Sequence, residues 1–198
     1  MAPLLIGLTG GIAAGKSEAL AAFGRLGAET ISSDAVVHEL LGSDEVRDRL
    51  VERWGDQVTA GGKVDRARVG EIVFERPDEL AWLESELHPR VGERIAAWRS
   101  SLRSETSFGV VEVPLLFEAS MEGAFDATVA VIADEDARRK RAQRRGHALV
   151  DERAARQLGQ EEKAARADHV VRNDGTLADL ERELSELLAK LGDPTVQR

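Results

Sequence analysis

Four residues near the start of the chain have the types and spacing needed to hold a chain of phosphate groups. Gly10, Gly15, Lys16 and Ser17 form the pattern G-x-x-x-x-G-K-S within TGGIAAGKSE, residues 9–18. Glycines let the backbone curl, so that successive N–H groups point at phosphate oxygens. We expect Lys16 to reach the β- and γ-phosphates of a nucleotide, and the Ser17 hydroxyl to bind a bridging Mg²⁺. The pattern predicts a nucleotide site without indicating where the terminal phosphate goes.

The elements that must position this loop read as strands alternating with helices. Short apolar runs at 3–9, 28–32, 108–113, 127–133 and 169–171 are typical of buried strands, and residues 34–104 are mostly helical in pattern. Such alternation predicts a five-stranded parallel sheet covered on both faces, a three-layer α/β/α fold. Ligands of such sheets bind beyond the carboxyl ends of the strands. The loops after the first four strands should therefore share one crevice.

Three acidic residues follow or end the predicted strands. Asp34 comes just after the second strand, where it could cap the next helix or accept the proton of an acceptor hydroxyl. Glu112 lies on the third strand and could lie near Mg²⁺ or form a buried structural ion pair. Glu118, in the same stretch VVEVPLLFE, could belong to the site or could equally well lie on the surface.

A cluster of cations follows the fourth predicted strand. Residues 138–145, RRKRAQRR, contain six cations, of which Arg138, Arg141 and Arg145 share one helix face. In this position arginines can stabilise charge on a transferring phosphoryl group. Nucleic-acid binding is the other interpretation, and a net charge of −9, 4% aromatic residues and no tyrosine disfavour it.

Composition limits the classes of function further. The 198 residues, 42% of them apolar, suit one domain, and the absence of cysteine excludes disulfides, thiolate metal sites and thiol nucleophiles. This composition fits a cytoplasmic protein. No apolar run approaches the roughly 18 residues of a membrane helix, and the first residues are typical of a strand rather than a secretory signal. None of the four histidines has metal-ligand spacing.

A proline marks a possible corner in the helical stretch. Pro89 biases the backbone of His88 towards an extended conformation, so we expect LHP to interrupt a long helix and to form a corner near a ligand.

Taken together, six segments of the sequence resemble dephospho-coenzyme A kinases of the P-loop kinase superfamily. They are LIGLTGGIAAGKS, ISSDAVVHEL, LHPRV, VVEVPLLFE, RRKRAQRRG and DHVVRNDGTLADL, which occur in this order over nearly the whole chain. The resemblance implies transfer of the ATP γ-phosphate, with Mg²⁺, to the ribose 3′-hydroxyl of dephospho-coenzyme A. It also implies one domain of residues 1–198, with a core at 1–34, 105–138 and 168–191. A helical acceptor-binding insertion would occupy about 35–104 and a helical lid about 139–167.

The resemblance also assigns roles to individual residues. Asp34 matches the proposed base and Arg141 the lid arginine near the transferring phosphate, beside Lys16. It implies nucleotide contacts at Gly11, Ala13, Ala14, Gly15, Lys16, Ser17, Glu18, Arg145 and Asn173, acceptor contacts at Thr9, Asp34, His38, Leu87, His88, Pro114 and Leu115, and metal contacts at Ser17 and Glu112. ATP and dephospho-coenzyme A are the implied partners, with no nucleic acid and no membrane.

Three departures from the family pattern bear on these roles. Ser32 stands where the family often has a first Asp, and His38 stands where Arg is common, which affects one acceptor contact. Glu18 replaces a frequent Thr, and we expect its side chain to point away along the helix as a favourable first-turn acid. Two other functions fit the residues: another nucleoside or nucleotide kinase, or a catalytically weak ATP-binding switch.

Overall fold

The computed structural model describes residues 3–144 and 157–193. In chain order, its strands are β1 (Leu4–Gly10), β2 (Glu29–Ser32), β3 (Thr59–Ala60), β4 (Lys63–Val64), β5 (Phe108–Glu112), β6 (Ala127–Ile132) and β7 (His169–Arg172). The described helices are α1 (Lys16–Arg25), α2 (Ser33–Leu40), α3 (Asp44–Trp54), α4 (Arg66–Glu75), α5 (Pro77–Ser101), α6 (Glu135–Arg144), α7 (Gln160–Arg166) and α8 (Leu177–Gly192).

A five-stranded sheet with the order β2-β5-β1-β6-β7 forms the centre of the fold, and all of its neighbouring strands pair in parallel. The predicted parallel sheet is therefore confirmed, with each strand boundary within one or two residues. β1 lies at its middle, so the glycine-rich loop leaves the sheet between β5 and β6. This places the loop at the carboxyl edge, where ligands bind in such sheets.

Helices and loops cover both faces of this sheet. On one face, Ile6 and Leu8 of β1 pack in a core with Phe23 of α1 and Leu184 of α8. On the other face, Gly7 leaves room for apolar side chains, because an added Cβ would lie 2.7 Å from both Leu116 and Phe125. The burial of both faces explains why the strands are continuous apolar runs rather than alternating ones.

Two helix starts follow the sequence signals closely. The Asp134 carboxylate accepts a hydrogen bond from the Ala137 N–H at 2.6 Å, so Asp134 caps α6. Thr176 and Asp179, three residues apart, form a capping box at the start of α8. Both signals were readable because capping depends on residues three apart in the chain.

The chain divides into two compact units, and the second consists of Ser33–Ser101. Its bounds lie close to the range of about 35–104 expected for the insertion, whose role in binding an acceptor stays a prediction. Its core contains Leu50, Leu83 and Leu87, and the Trp54 ring packs edge-on against another tryptophan, Trp82, with 5.0 Å between the ring centres.

A small hairpin within this unit was not predicted. β3 and β4 pair antiparallel around Gly61 and Gly62, which have φ of 59° and 76°. Two consecutive positive φ angles define the two-residue turn that suits twisted strands, and glycine adopts them without strain.

The predicted corner at LHP is wrong, because α5 continues through Pro89. Proline removes the N–H that would bond the Ser85 carbonyl, but both residues are exposed, so water can satisfy that carbonyl. The next carbonyl, of Glu86, accepts a hydrogen bond from the Arg90 guanidinium at 2.6 Å. Solvent and one arginine thus compensate for the proline.

Across the described residues, we find no helix that combines the length and the apolar character needed to cross a bilayer.

Candidate active site

Positively charged side chains hold the carbonyl groups of the loop at residues 10–16. The Lys16 ammonium donates to the Gly10 and Gly11 carbonyls, each at 3.1 Å. The Arg138 guanidinium donates to the Ile12 carbonyl at 2.9 Å. These bonds fix the orientation of the peptide groups that follow Gly10, Gly11 and Ile12.

Two N–H groups of the same loop are left without an acceptor among the described residues. Arg141 donates to the Ala14 carbonyl at 3.2 Å. Because the carbonyl and the N–H of a trans peptide point in opposite directions, the N–H groups of Ala13 and Gly15 point away from the arginines. Within the described residues, neither N–H has a hydrogen-bond acceptor. Unpaired donors at the start of a helix are what an anion site requires.

Two residues of the loop have positive φ angles, which allow the backbone to curl tightly. Gly15 has φ 100° and Ala13 has φ 58°, which is uncommon for a residue with a Cβ. A Cβ on Gly15 would also lie 2.1 Å from the Asn173 amide nitrogen. Glycine at 15 is therefore required both by the backbone angle and by the packing of Asn173.

Asn173 and Arg141 brace the loop together. Asn173 is buried, and its amide donates to the Ala14 carbonyl at 2.9 Å. Arg141 in turn donates to the Asn173 backbone and side-chain oxygens at 2.7 and 3.2 Å. The predicted roles of these residues, at the transferring phosphate and near adenine, stay predictions, and the structure adds that both shape the phosphate loop. Arg145 lies outside the described residues.

The Glu18 side chain points along α1, as expected. Its carboxylate lies 2.9 Å from the Arg25 guanidinium, two turns further along the same helix, and both side chains are largely exposed. Its backbone N–H stays in the first helical turn. The acid therefore does not obstruct the anion site.

Ser17 and Glu112 offer oxygen atoms suited to a hard cation. Ser17 is exposed at the start of α1. Glu112 ends β5 beside Leu8 of β1, and it is buried, yet its carboxylate makes no hydrogen bond or ion pair with any described residue. Its carboxylate oxygens are not among the enclosed side-chain atoms that lack a partner, so they remain open to solvent and to a cation. One hydroxyl and one carboxylate fit Mg²⁺, which usually keeps waters and phosphate oxygens as its other ligands.

Thr9 and Pro114, two predicted acceptor residues, lie together at the ends of β1 and β5. The buried Thr9 hydroxyl donates to the Pro114 carbonyl at 3.3 Å. Leu115 follows Pro114 and is half-buried. The structure thus joins residues that are more than a hundred positions apart in the chain.

Sequence reasoning missed two residues of α7 and left the position of one acid open. Lys163 is fully buried and lies 3.0 Å from Glu118, which is therefore an internal ion-pair partner rather than a surface residue. Gln160 makes paired hydrogen bonds with the backbone of Ala133, and its Cβ would lie 2.8 Å from a Cβ on Gly11. A lysine and a glutamine in a short polar helix normally indicate solvent exposure, so no local signal could have revealed them.

The other predicted acceptor residues belong to the unit Ser33–Ser101. Because α2 begins at Ser33, Asp34 lies in its first turn, and the capping interpretation is wrong. Asp34 is exposed, and its carboxylate has no hydrogen-bond partner among the described residues, which leaves it available as a base. His38 contacts the Arg66 guanidinium, so an arginine is present beside the position where the family often has one.

Leu87 and His88 occupy opposite environments on α5. Leu87 is buried in the core of its unit, which favours a structural role for its side chain. His88 is exposed. Contact of either residue with an acceptor stays a prediction.

Known proteins are similar to this chain over nearly its whole length. A family model described as dephospho-CoA kinase matches residues 4–179. A dephospho-CoA kinase of Protochlamydia amoebophila is 36% identical, with 94% of this chain and 95% of the relative covered. One from Geobacillus kaustophilus is 35% identical, with 93% and 95% covered.

Solved structures show the same relationship. The crystal structure of TT1252 from Thermus thermophilus has a TM-score of 0.81 at 34% identity, covering 96% of this chain and 99% of that one. A dephospho-CoA kinase from Campylobacter jejuni has a TM-score of 0.70 at 26% identity, covering 95% and 96%. The family model and the relatives both span nearly the whole chain. The chain therefore belongs to the dephospho-CoA kinase family.

Proposed function

We propose that this protein transfers the γ-phosphate of ATP to the ribose 3′-hydroxyl of dephospho-coenzyme A, giving coenzyme A and ADP in the last step of coenzyme A biosynthesis. The observation that carries the proposal is the phosphate loop, whose carbonyls are held by Lys16, Arg138 and Arg141. The Ala13 and Gly15 N–H groups of this loop have no acceptor among the described residues, which leaves them available to phosphate oxygens. Family membership supplies the acceptor.

The charge distribution suits phosphoryl transfer. The whole chain has a net charge of −9, yet three cationic side chains bond to this one loop. Phosphoryl transfer needs positioned reactants and stabilised charge more than covalent participation by the protein. Local positive charge on an acidic protein favours a small anionic substrate over a nucleic-acid surface.

Ser17 and Glu112 would hold Mg²⁺, directly or through water. When bound there, Mg²⁺ would neutralise charge on the β- and γ-phosphate oxygens. Lys16, on the first turn of α1, would bind the same phosphates and stabilise the negative charge that develops on the leaving group. Each of these residues then has one task, either to bind a cation or to stabilise an oxygen.

Asp34 is the residue that we propose as the base. It is exposed and follows the last residue of β2 by two positions in the chain. An ionised carboxylate there would orient the acceptor hydroxyl and accept its proton. The arginine beside His38 provides a guanidinium for an acceptor phosphate in the same unit.

A panel of acceptors tests this function. The purified protein is incubated with Mg²⁺ and ATP plus dephospho-coenzyme A, nucleoside monophosphates or no acceptor, and ADP and the phosphorylated product are both measured. We expect ADP release that depends on dephospho-coenzyme A and equals the amount of coenzyme A formed. Activity on nucleoside monophosphates alone would indicate another kinase, and binding of ATP without acceptor-dependent turnover would indicate a switch.

We also propose a cytoplasmic location and no nucleic-acid or membrane partner. The absence of cysteine and the acidic composition support these proposals.

A further inference from the structure

A fully buried lysine on α7 lies against the carboxyl ends of the two central strands. The Lys163 side chain has no exposed surface. Its ammonium lies 3.0 Å from the Glu118 carboxylate, 2.5 Å from the Pro114 carbonyl and 3.5 Å from the Thr9 hydroxyl. These three contacts match the three N–H donors of an ammonium group.

The buried Lys163–Glu118 ion pair is expected to contribute little to folding stability. Desolvation of a buried ion pair offsets most of its Coulomb attraction, and replacing such a pair with neutral residues is often neutral or stabilising. Glu118 is itself engaged, since the carboxylate oxygen nearest Lys163 also accepts the Leu158 N–H at 2.8 Å. The pair does contribute rigidity, because an ammonium bonded to three acceptors holds each acceptor in a fixed position.

The groups that Lys163 holds flank the phosphate site. Thr9 directly precedes Gly10, the first glycine of the loop. Pro114 follows β5, two residues after Glu112, the acid suited to Mg²⁺. Lys163 therefore ties the segment that begins the phosphate loop to the segment that follows the predicted metal ligand.

We propose that Lys163 is a positioning residue for phosphoryl transfer: from α7 it fixes Thr9 and Pro114 so that the acceptor side of the site is aligned with the phosphate loop. Glu118 holds the ammonium in this position. The proposal rests on the proposed function and adds a residue to it. It predicts a loss of turnover with little loss of ATP binding, because Lys16, Ser17 and the loop N–H groups are left in place.

The test uses a double variant that keeps the interior neutral. Lys163→Met alone leaves Glu118 buried without its partner, so we expect a lower melting temperature. Lys163→Met with Glu118→Gln removes both charges and keeps an oxygen for the Leu158 N–H. We expect this variant to melt close to the unmodified protein, with kcat lowered roughly 10- to 100-fold. ATP affinity, measured separately by calorimetry, should change by less than about threefold, since uniform binding is untouched.

The control applies the same substitution to an exposed lysine. Lys190 lies near the end of α8, close to His169 at the amino end of β7. The variant Lys190→Met should leave kcat unchanged. A double variant that folds and turns over at the normal rate overturns the proposal. So does a variant whose only defect is weaker ATP binding.

A chemical rescue keeps the proposal testable if the double variant folds poorly. The chain has no cysteine, so Lys163→Cys introduces a single thiol. Alkylation of the unfolded chain with bromoethylamine, then refolding, rebuilds an ammonium of nearly the same length, whereas iodoacetamide adds a neutral group. We expect kcat to return only with bromoethylamine, and equal kcat after both treatments overturns the proposal.

The same assays separate the two proposals. If the unmodified protein makes no coenzyme A, the proposed function fails. If it does, and the rescued and neutral forms turn over alike, only the role of Lys163 fails.

Discussion

Arg141 shows how one side chain can serve the phosphate loop in two ways. Its guanidinium bonds to the Ala14 carbonyl and to both oxygens of Asn173, so it helps to set the shape of the loop. It also places a permanent positive charge on the carbonyl side of the peptide that carries the Gly15 N–H. Loss of this residue should therefore affect both the geometry and the charge of the site.

Arg141→Ala is expected to lower kcat by about 10²- to 10³-fold, as for loss of one preorganised donor to transition-state charge. Steady-state kinetics with dephospho-coenzyme A and a thermal melt provide the measurement. Arg139→Ala is the matched control on the same helix, since Arg139 is exposed and pairs with Glu135. Equal rates for the two variants would remove Arg141 from the proposed mechanism.

Asp34→Asn tests the proposed base. Because asparagine keeps the shape but cannot accept the proton, we expect kcat to fall by about 10²- to 10⁴-fold. ATP affinity should stay within about threefold, since the loss is confined to the transition state. Pre-steady-state rates and ATP calorimetry separate the two quantities, and an undiminished kcat would show that another group takes the proton. Glu39→Gln, an exposed acid on the same helix paired with Arg94, is the control.

At the scale of elements, local chemistry decides where helices begin and how they tolerate exceptions. α8 starts at a reciprocal pair of side-chain-to-backbone bonds between Thr176 and Asp179. α5 passes through Pro89 because the bond that proline removes is on the exposed side. Both outcomes follow from which backbone groups have partners.

The capping box predicts an acid-dependent contribution to stability. Hydrogen bonds from the Thr176 hydroxyl and backbone, with further support from Arg182, lower the pKa of Asp179 to about 2. A depressed carboxyl pKa stabilises the fold above the ordinary value near ~3.9, and this contribution is lost as the pH falls through the folded-state value. Asp179→Asn lacks the charge, so we expect its stability deficit to shrink as the pH falls from about 5 towards 2.

Urea unfolding of both proteins across this pH range measures the effect. NMR titration of Asp179 with and without Thr176→Ala provides a second check, since loss of the hydroxyl should raise the pKa of Asp179. A deficit that is the same at every pH would contradict the prediction.

At the scale of the whole molecule, binding should add to folding stability. A ligand that binds only the folded state at about 100 times its Kd stabilises that state by about 2.7 kcal/mol. We therefore expect MgATP to raise the melting temperature by several degrees. Lys16→Ala should show a much smaller rise at the same ATP concentration, because it loses the ammonium on the first turn of α1.

Two comparisons sharpen this measurement. Lys63→Ala alters an exposed lysine of the small hairpin and should respond to MgATP like the unmodified protein. Replacing Ser17 with Ala should reduce the additional rise that Mg²⁺ gives over ATP alone, if Ser17 is a metal ligand. The same shift with Lys16→Ala as without it would place ATP elsewhere.

The sequence by itself determined the parallel sheet, the phosphate loop and the capped starts of α6 and α8. All of these depend on residues that are close in the chain: apolar runs, glycines at fixed spacing and capping pairs three residues apart. The interruption expected at Pro89 was wrong because the cost of a proline depends on whether the released carbonyl meets solvent, which a local pattern does not record.

Only the tertiary structure decided which distant groups meet. It placed Lys163 between Thr9 and Pro114, paired it with Glu118, and brought Asn173 to the carbonyl of Ala14. Parallel strands bring their carboxyl ends together from segments far apart in the chain, so these contacts have no sequence period. From sequence alone, a buried lysine such as Lys163 is predicted to be exposed, because its acceptors come from distant segments of the chain.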